Sequence, residues 1–374
     1  MSSMSRTVPA YRRMIAKTVS SRRQTSAVTT GLQQWIRSRS GYAEAIISGV
    51  EKPAGAGLSN ETFLFQCATA DRHEALVMQV GPAGHGLFRD YDLCVMARVQ
   101  QRLAECSTVP VPPIRWVESN PTFFGAPFYV MGRVVGRVPS DNPAYHAAGW
   151  FADLPVAAQA RAWSSGISAL TRLHALDPVA DGFEFLCEAP WGMPLGAEPA
   201  RARVAQWRAF LAWGSRTPLA IIDNALRALE ATAPPCPARL TVCWGDAKIS
   251  NCVIHDEAVV ALLDWELCGV SDCHEDLAHW LLLDWAHWRA QGVPRLPGLP
   301  SPRETVASYE LQAGHSMPHI LWWFKLSLVR LAIIYHRFLE RRIDLGRLDP
   351  ASDLVAGNPM CALLDEALAM KALP

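Results

Sequence analysis

The hydrophobic pattern changes period near residue 132, and that change constrains the fold more than any other feature of the chain. From Ile46 to Met131 the apolar residues fall in short runs, largely alternating; from Trp150 onward they follow the helical repeat. Alternation in ETFLFQC, a turn at Thr69 to His73 and the run EALVMQV predict a hairpin. A helix is predicted from about Arg89 to Glu105, and APFYVMGRV reads as a strand leading into the second half. The prolines of VPVPPIRWVE suit an edge or a turn. Downstream, a helical run starting at Asp153 reaches His174, and further helices are predicted over 199–213, 217–231, 272–290, 303–313, 317–341 and 359–371. Strands first and helices second give an α+β chain: a basic, disordered tail 1–28, a β-rich lobe 29–132 and a helical lobe 133–374.

Charge and composition narrow the partners. Lys plus Arg number 35 and Asp plus Glu number 35, so no global basic field holds a nucleic-acid backbone. The most apolar stretch, HWLLLDWAHW, is interrupted by Asp284, which excludes a membrane span. None of the ten cysteines has CxxC spacing, so reduced thiols in a cytoplasm are expected. Arg6, Arg12, Arg13, Lys17, Arg22, Arg23, Arg37 and Arg39 all precede the first acid, Glu44. That profile has the look of a mitochondrial transit peptide, but the plainer reading is a basic tail with order starting near Thr29.

The chemistry concentrates in TVCWGDAKISNCVIHDEAVVALLDWE, residues 241–266. Two apolar runs, Cys252–His255 and Val259–Leu263, flank Asp256 to Ala258 and read as a tight hairpin. Asn251 enters the first strand and Asp264 leaves the second, so antiparallel pairing brings them together, with Asp246 on the preceding loop. Three hard oxygen donors at an open loop suit Mg²⁺ shared with phosphates. The spacing Asp246, Lys248, Asn251 is D-x-K-x-x-N, the kinase catalytic-loop pattern. There the Asp accepts a hydroxyl proton, the Asn binds metal, and Lys248 could balance charge on the transferred phosphoryl group.

The chain resembles the aminoglycoside phosphotransferase and choline kinase-like family of small-molecule kinases, which share the two-lobed protein-kinase fold. WGDAKISN matches the family's HGDxxxxN loop and LLDWE its metal-binding strand end; GVSDCHEDLAHW is similar to the GDPxxDLA segment. GLSNETFLF at 57–65 is similar to the glycine-containing phosphate loop, and the closer likeness is to the kinase-like domain of acyl-CoA dehydrogenase fusions. The resemblance implies a kinase using ATP or GTP with Mg²⁺ and a small-molecule hydroxyl acceptor. It implies Asp246 and Lys248 as catalytic, Asn251 and Asp264 as metal ligands, and Ser59 and Asn60 over the nucleotide phosphates. The base would lie against the backbone from Val130 and Met131 to Arg133.

Two departures stand against it. Gln79 occupies the place of the family's nucleotide-binding basic residue, and Met96 that of its partner glutamate. Lys52, Arg72 or Arg89 could substitute; otherwise the alternative is a pseudokinase-like nucleotide-binding protein, or a module that binds no nucleotide. Trp244 replaces the family's His, a support for the loop. Asp272 and Glu275 are expected to form a capping box, with Asp276 bracing the loop. His274, Glu275 and His279 have HExxxH spacing, which rotates the second His by about 140° and removes a metalloprotease reading. The acids between Lys248 and Arg289 either attract a cationic substrate or are compensated by distant arginines.

Overall fold

The computed structural model describes residues 23–53, 59–82, 86–217, 219–237, 240–352, 354 and 358–374. Helix α1 (Thr25–Arg37) begins four residues ahead of the expected start. Arg23, assigned to the tail, is anchored: its guanidinium pairs with Glu61 at 2.7 Å and donates to the Gly81 and Phe124 carbonyls. Residues 1–22 lie outside the described part.

Strands β1 (Ile46–Glu51), β2 (Glu61–Ala68), β3 (His73–Val80), β4 (Ile114–Glu118) and β5 (Phe128–Gly132) form one antiparallel sheet in the order β1-β2-β3-β5-β4. Alternation puts Phe63, Phe65, Leu76, Met78 and Val130 on one face, against Val28, Leu32, Trp35 and Ile36 of α1. Val77, Tyr129 and Met131 occupy the other face and join the main core with α2 (Leu93–Cys106). The predicted start of α2 at Arg89 is early by a turn, because Asp92 is the N-cap, its carboxylate accepting from the Cys94 and Val95 amides.

The second lobe is built from α3 (Val156–His174), α4 (Pro199–Gly214), α5 (Ala220–Ala231), α6 (His274–Gln291), α7 (Pro302–Ala313), α8 (Ile320–Asp344) and α9 (Pro359–Ala369). Every residue of α6 from His274 to Ala286 is buried, so the helix has no solvent-facing stripe, and its polar residues Glu275, Asp276, His279 and Asp284 are paired inside the lobe. Trp280, Trp285, Trp323 and Phe324 belong to this core. Between α5 and α6 run β6 (Thr241–Cys243), the hairpin β7 (Cys252–His255) and β8 (Ala258–Leu262), and β9 (Gly269–Ser271). Asp256 and Glu257 have positive φ, a two-residue turn, so Ala258 is already strand. Among the described residues, no helix is long and apolar enough to cross a membrane.

Candidate active site

The loop from β6 to β7 carries Asp246, and three elements hold it. Asp276, at the start of α6, accepts from the Trp244 amide at 2.6 Å and the Gly245 amide at 2.8 Å, and His174 Nε2 lies 3.1 Å from the same carboxylate. Burial alone would raise the Asp276 carboxyl, but His174 and the two amides hold it below its ordinary value. The expected bracing role of Asp276 is therefore visible as geometry. The expected capping box is not: Glu275 turns away to Arg203 at 2.8 Å and Ser271 at 2.7 Å. A buried guanidinium is the stronger partner for that carboxylate than a helix amide. Asp272 bonds the amide and ring of His274 instead.

Trp244 takes over the support assigned to the family's His, because its indole N–H donates to the Leu263 carbonyl at 2.8 Å, one residue before Asp264. Gly245 is required between them. Its φ is +86°, and a Cβ there would stand 2.0 Å from the Leu267 carbonyl oxygen. Gly245→Ala is expected to cost about 3 kcal/mol or more in urea unfolding, from strain and overpacking together.

The hairpin delivers the other two ligand candidates. The Leu263 amide donates to the Asn251 carbonyl at 2.9 Å, extending the β7–β8 ladder to the positions expected. Asn251 Nδ2 reaches Asp246 Oδ2 at 2.8 Å, with Lys248 Nζ 3.3 Å from the same oxygen. Lys248 also contacts Asp141 at 3.2 Å. The other Asp246 oxygen faces His279 Nε2 at 3.1 Å and Arg330 at 3.6 Å. Burial alone would raise Asp246, but Lys248, His279 and Arg330 hold it well below the usual carboxylate range. Burial and then Arg330 lower His279 to about 4, so at neutral pH it is an uncharged donor to Asp246.

Asp264 is left in a different state. Its φ of 62° is in the left-handed region that Asp tolerates better than bulkier residues, and no hydrogen bond reaches its carboxylate among the described residues. Burial and then the Asp246 charge push it up to about 7. Glu266 is raised as well, by burial and then by Asp264; its Oε1 accepts from Ser59 Oγ at 2.8 Å, while Oε2 is buried without a partner. The Asn60 amide oxygen and the Tyr91 hydroxyl are likewise unpaired. A cluster of carboxylates and amide oxygens such as this fits a hard divalent cation, which Asn251 and Asp264 could hold.

Ser59 is thus brought to the Glu266 carboxylate, beside Asn60; of the predicted phosphate loop 57–65, residues 57 and 58 lie outside the described residues and 61–65 belong to β2. Gln79 pairs across the sheet with Tyr129 and accepts its hydroxyl at 2.6 Å, and Gln100 Nε2 lies 3.4 Å from that hydroxyl. A neutral Gln79–Tyr129–Gln100 chain therefore stands where an ion pair was sought, and Met96 is core. Lys52 is no substitute, since it binds Glu61 at 3.2 Å and lies over the Phe63 ring, on the α1 side of the sheet. Arg89 pairs with Asp90 on the surface, and Arg72 lies at the far end of the β2–β3 hairpin. Val130 points into the α1 core and Met131 into the main core, so only their backbones could face a base. Sequence reasoning missed Asp141, Glu266, His279 as a partner of Asp246, and Arg330. The one signal for Arg330 was a single charge in the apolar run LSLVRLAII.

Residues 50–304 match the model of the phosphotransferase enzyme family. The chain belongs to that family. Acyl-CoA dehydrogenase family member 11 of Rattus norvegicus is 26% identical over 328 residues, covering 83% of this chain and 39% of the rat protein. Family member 10 of Mus musculus is 24% identical over 321 residues, covering 81% of this chain and 27% of that protein. The chain thus spans well under half the length of these curated relatives. Among solved structures, a candidate aminoglycoside phosphotransferase from Ralstonia eutropha superposes with a TM-score of 0.65 at 20% identity, covering 92% of this chain and 98% of that one. Aminoglycoside phosphotransferase APH(4)-Ia, in ternary complex with ADP and hygromycin B, gives 0.57 at 12% identity over 91% and 100%. The architecture is the two-lobed protein-kinase-like fold of the small-molecule phosphotransferases.

Proposed function

We propose that the chain transfers the γ-phosphoryl group of ATP or GTP to a hydroxyl of a small molecule in the cytoplasm, with Mg²⁺ bound by Asn251 and Asp264. The observation that carries this reading is the convergence of Asp246, Asn251 and Asp264, with no hydrogen bond to the Asp264 carboxylate among the described residues. Mg²⁺, when bound, would neutralise charge on the nucleotide phosphates. Asp246 orients the acceptor hydroxyl and takes its proton late, since four surrounding donors make it a weak base. Lys248 stands beside Asp246 to balance charge on the transferred group, released from Asp141 as the phosphate arrives. Ser59 and Asn60 cover the phosphates, and the Val130 and Met131 backbone meets the base. The neutral chain at Gln79 leaves the phosphates to amides and the cation; with the Asp246 centre intact, a nucleotide-binding protein without transfer is the less favoured alternative.

The test is thermal stability with and without Mg²⁺ and nucleotide, for the native chain and Asp264→Asn. Burial and then the Asp246 charge push Asp264 up to about 7 in the folded chain, against about 3.9 unfolded. The folded state holds the extra proton between those values, so native stability without cation falls as pH rises through that window. Asp264→Asn is expected to flatten that slope and abolish the Mg²⁺-dependent rise in midpoint with ATP or GTP. An undiminished Mg²⁺-dependent rise in the variant would overturn the metal assignment.

A further inference from the structure

Tyr309 is fully buried on α7, and its hydroxyl oxygen stands 2.7 Å from His174 Nδ1 at the end of α3. The other ring nitrogen, Nε2, lies 3.1 Å from Asp276 Oδ2, and that same oxygen accepts from the Trp244 amide at 2.6 Å. Asp276 Oδ1 accepts from the amide of Gly245, the residue before Asp246. These contacts run from α7 through α3 and α6 into the catalytic loop. A further tie holds the same corner, because the hydroxyl of Thr241, the first residue of β6, donates to the His174 carbonyl at 2.9 Å.

The two ends of this relay fix the direction of its hydrogen bonds. Burial would raise the Asp276 carboxyl, but His174 and the two loop amides keep it ionised. A carboxylate only accepts, so His174 Nε2 carries a proton. At the other end the Cys273 thiol also lies against the Tyr309 hydroxyl. Burial pushes that thiol up to about 12, so at neutral pH it stays an S–H group and is a poor acceptor. The Tyr309 proton therefore goes to His174 Nδ1, which must hold a lone pair to receive it. The ring that satisfies both ends is the neutral Nε2–H tautomer. The opposite tautomer would turn a lone pair on the Asp276 carboxylate, and a doubly protonated ring would leave the Tyr309 proton only a thiol sulfur.

We propose that Tyr309 is a positioning residue for the catalytic loop: by fixing His174 as the Nε2–H tautomer, it holds Asp276 in the orientation that grips the Trp244 and Gly245 amides and so places Asp246. The consequence for transfer rests on the phosphotransferase reading above; the proton arrangement does not. Its test joins nitrogen-15 NMR of the histidine rings in the full native chain, the His174 ring assigned from its own backbone, to amide hydrogen exchange in the native protein and in Tyr309→Phe. The native His174 ring is expected to carry its single proton on Nε2 at neutral pH, a measurement that needs no variant. Tyr309→Phe keeps the aromatic ring and removes the hydroxyl alone. In it, exchange of the Trp244 and Gly245 amides is expected to quicken about tenfold or more, while the Leu263 amide of the hairpin changes less than about threefold. That contrast separates positioning from a general loss of stability, which would quicken all three. A native proton on Nδ1, protons on both nitrogens, unchanged loop exchange, or loop and hairpin exchange rising together would overturn the inference. No Mg²⁺-dependent rise in midpoint with AMP-PNP in the native chain would instead overturn the phosphotransferase reading and leave the Tyr309 relay standing.

Discussion

Asp246→Asn is expected to lower phosphoryl transfer by about two to four orders of magnitude while leaving nucleotide binding in place. The substitution keeps the side-chain shape, but it replaces an acceptor of four donors by a group that is itself half donor. Asn251 and Lys248 face one oxygen and His279 and Arg330 the other, so whichever position becomes the amide nitrogen, two donors meet an N–H. The acceptor hydroxyl loses the carboxylate that aligns it and receives its proton. Transfer of label from radioactive ATP, or release of ADP, reads the loss directly; an unchanged thermal shift with Mg²⁺ and nucleotide separates it from misfolding. Transfer at the native rate in Asp246→Asn would remove this residue from the chemistry.

Asp276→Ala is expected to destabilise the chain by about 3–5 kcal/mol. Its carboxylate is fully buried and satisfies two consecutive loop amides and the His174 ring. Removing it strands all three in the buried interior between α3 and α6. Because Asp276 is held below its ordinary value, its contribution is present above the unfolded carboxylate range. That contribution is lost as pH falls through the folded value, so the native chain should lose stability in acid and the variant lose less. Urea unfolding across acid to neutral pH measures both quantities. A loss under about 1 kcal/mol would show that the loop does not depend on this anchor.

The parts of the site that were legible in sequence are those set by local geometry. A hairpin of eleven residues, 252–262, fixes Asn251 against Leu263 whatever surrounds it, and the loop before it can place Asp246 in few ways. The same holds for the β2–β3 hairpin, whose turn covers Thr69 to Arg72 of the predicted Thr69 to His73, His73 being already strand and paired with Ala68. Contacts that depend on how helices pack were not legible. Nothing in the spacing of His279 or Arg330 indicates that α6 and α8 both aim a donor at one Asp246 oxygen. The missing ion pair misled in an instructive way. Lys52 was considered as a replacement from sequence proximity, but strand alternation places its partner Glu61 with Phe63, on the face opposite Gln79. The place of the lost charge pair is filled by Tyr129 and Gln100, from a neighbouring strand and one turn beyond Met96. The capping box failed for a related reason, because a buried arginine from α4 outcompetes the helix amides for Glu275.

The most direct measurement of the phosphotransfer centre is the electron paramagnetic resonance of Mn²⁺ substituted for Mg²⁺, titrated into the native chain with AMP-PNP. The account predicts protein-bound Mn²⁺ that appears with nucleotide, weakens in Asn251→Ala and disappears in Asp264→Asn. Mn²⁺ bound equally well by both variants, or no bound Mn²⁺ in the native chain at saturating nucleotide, would contradict it.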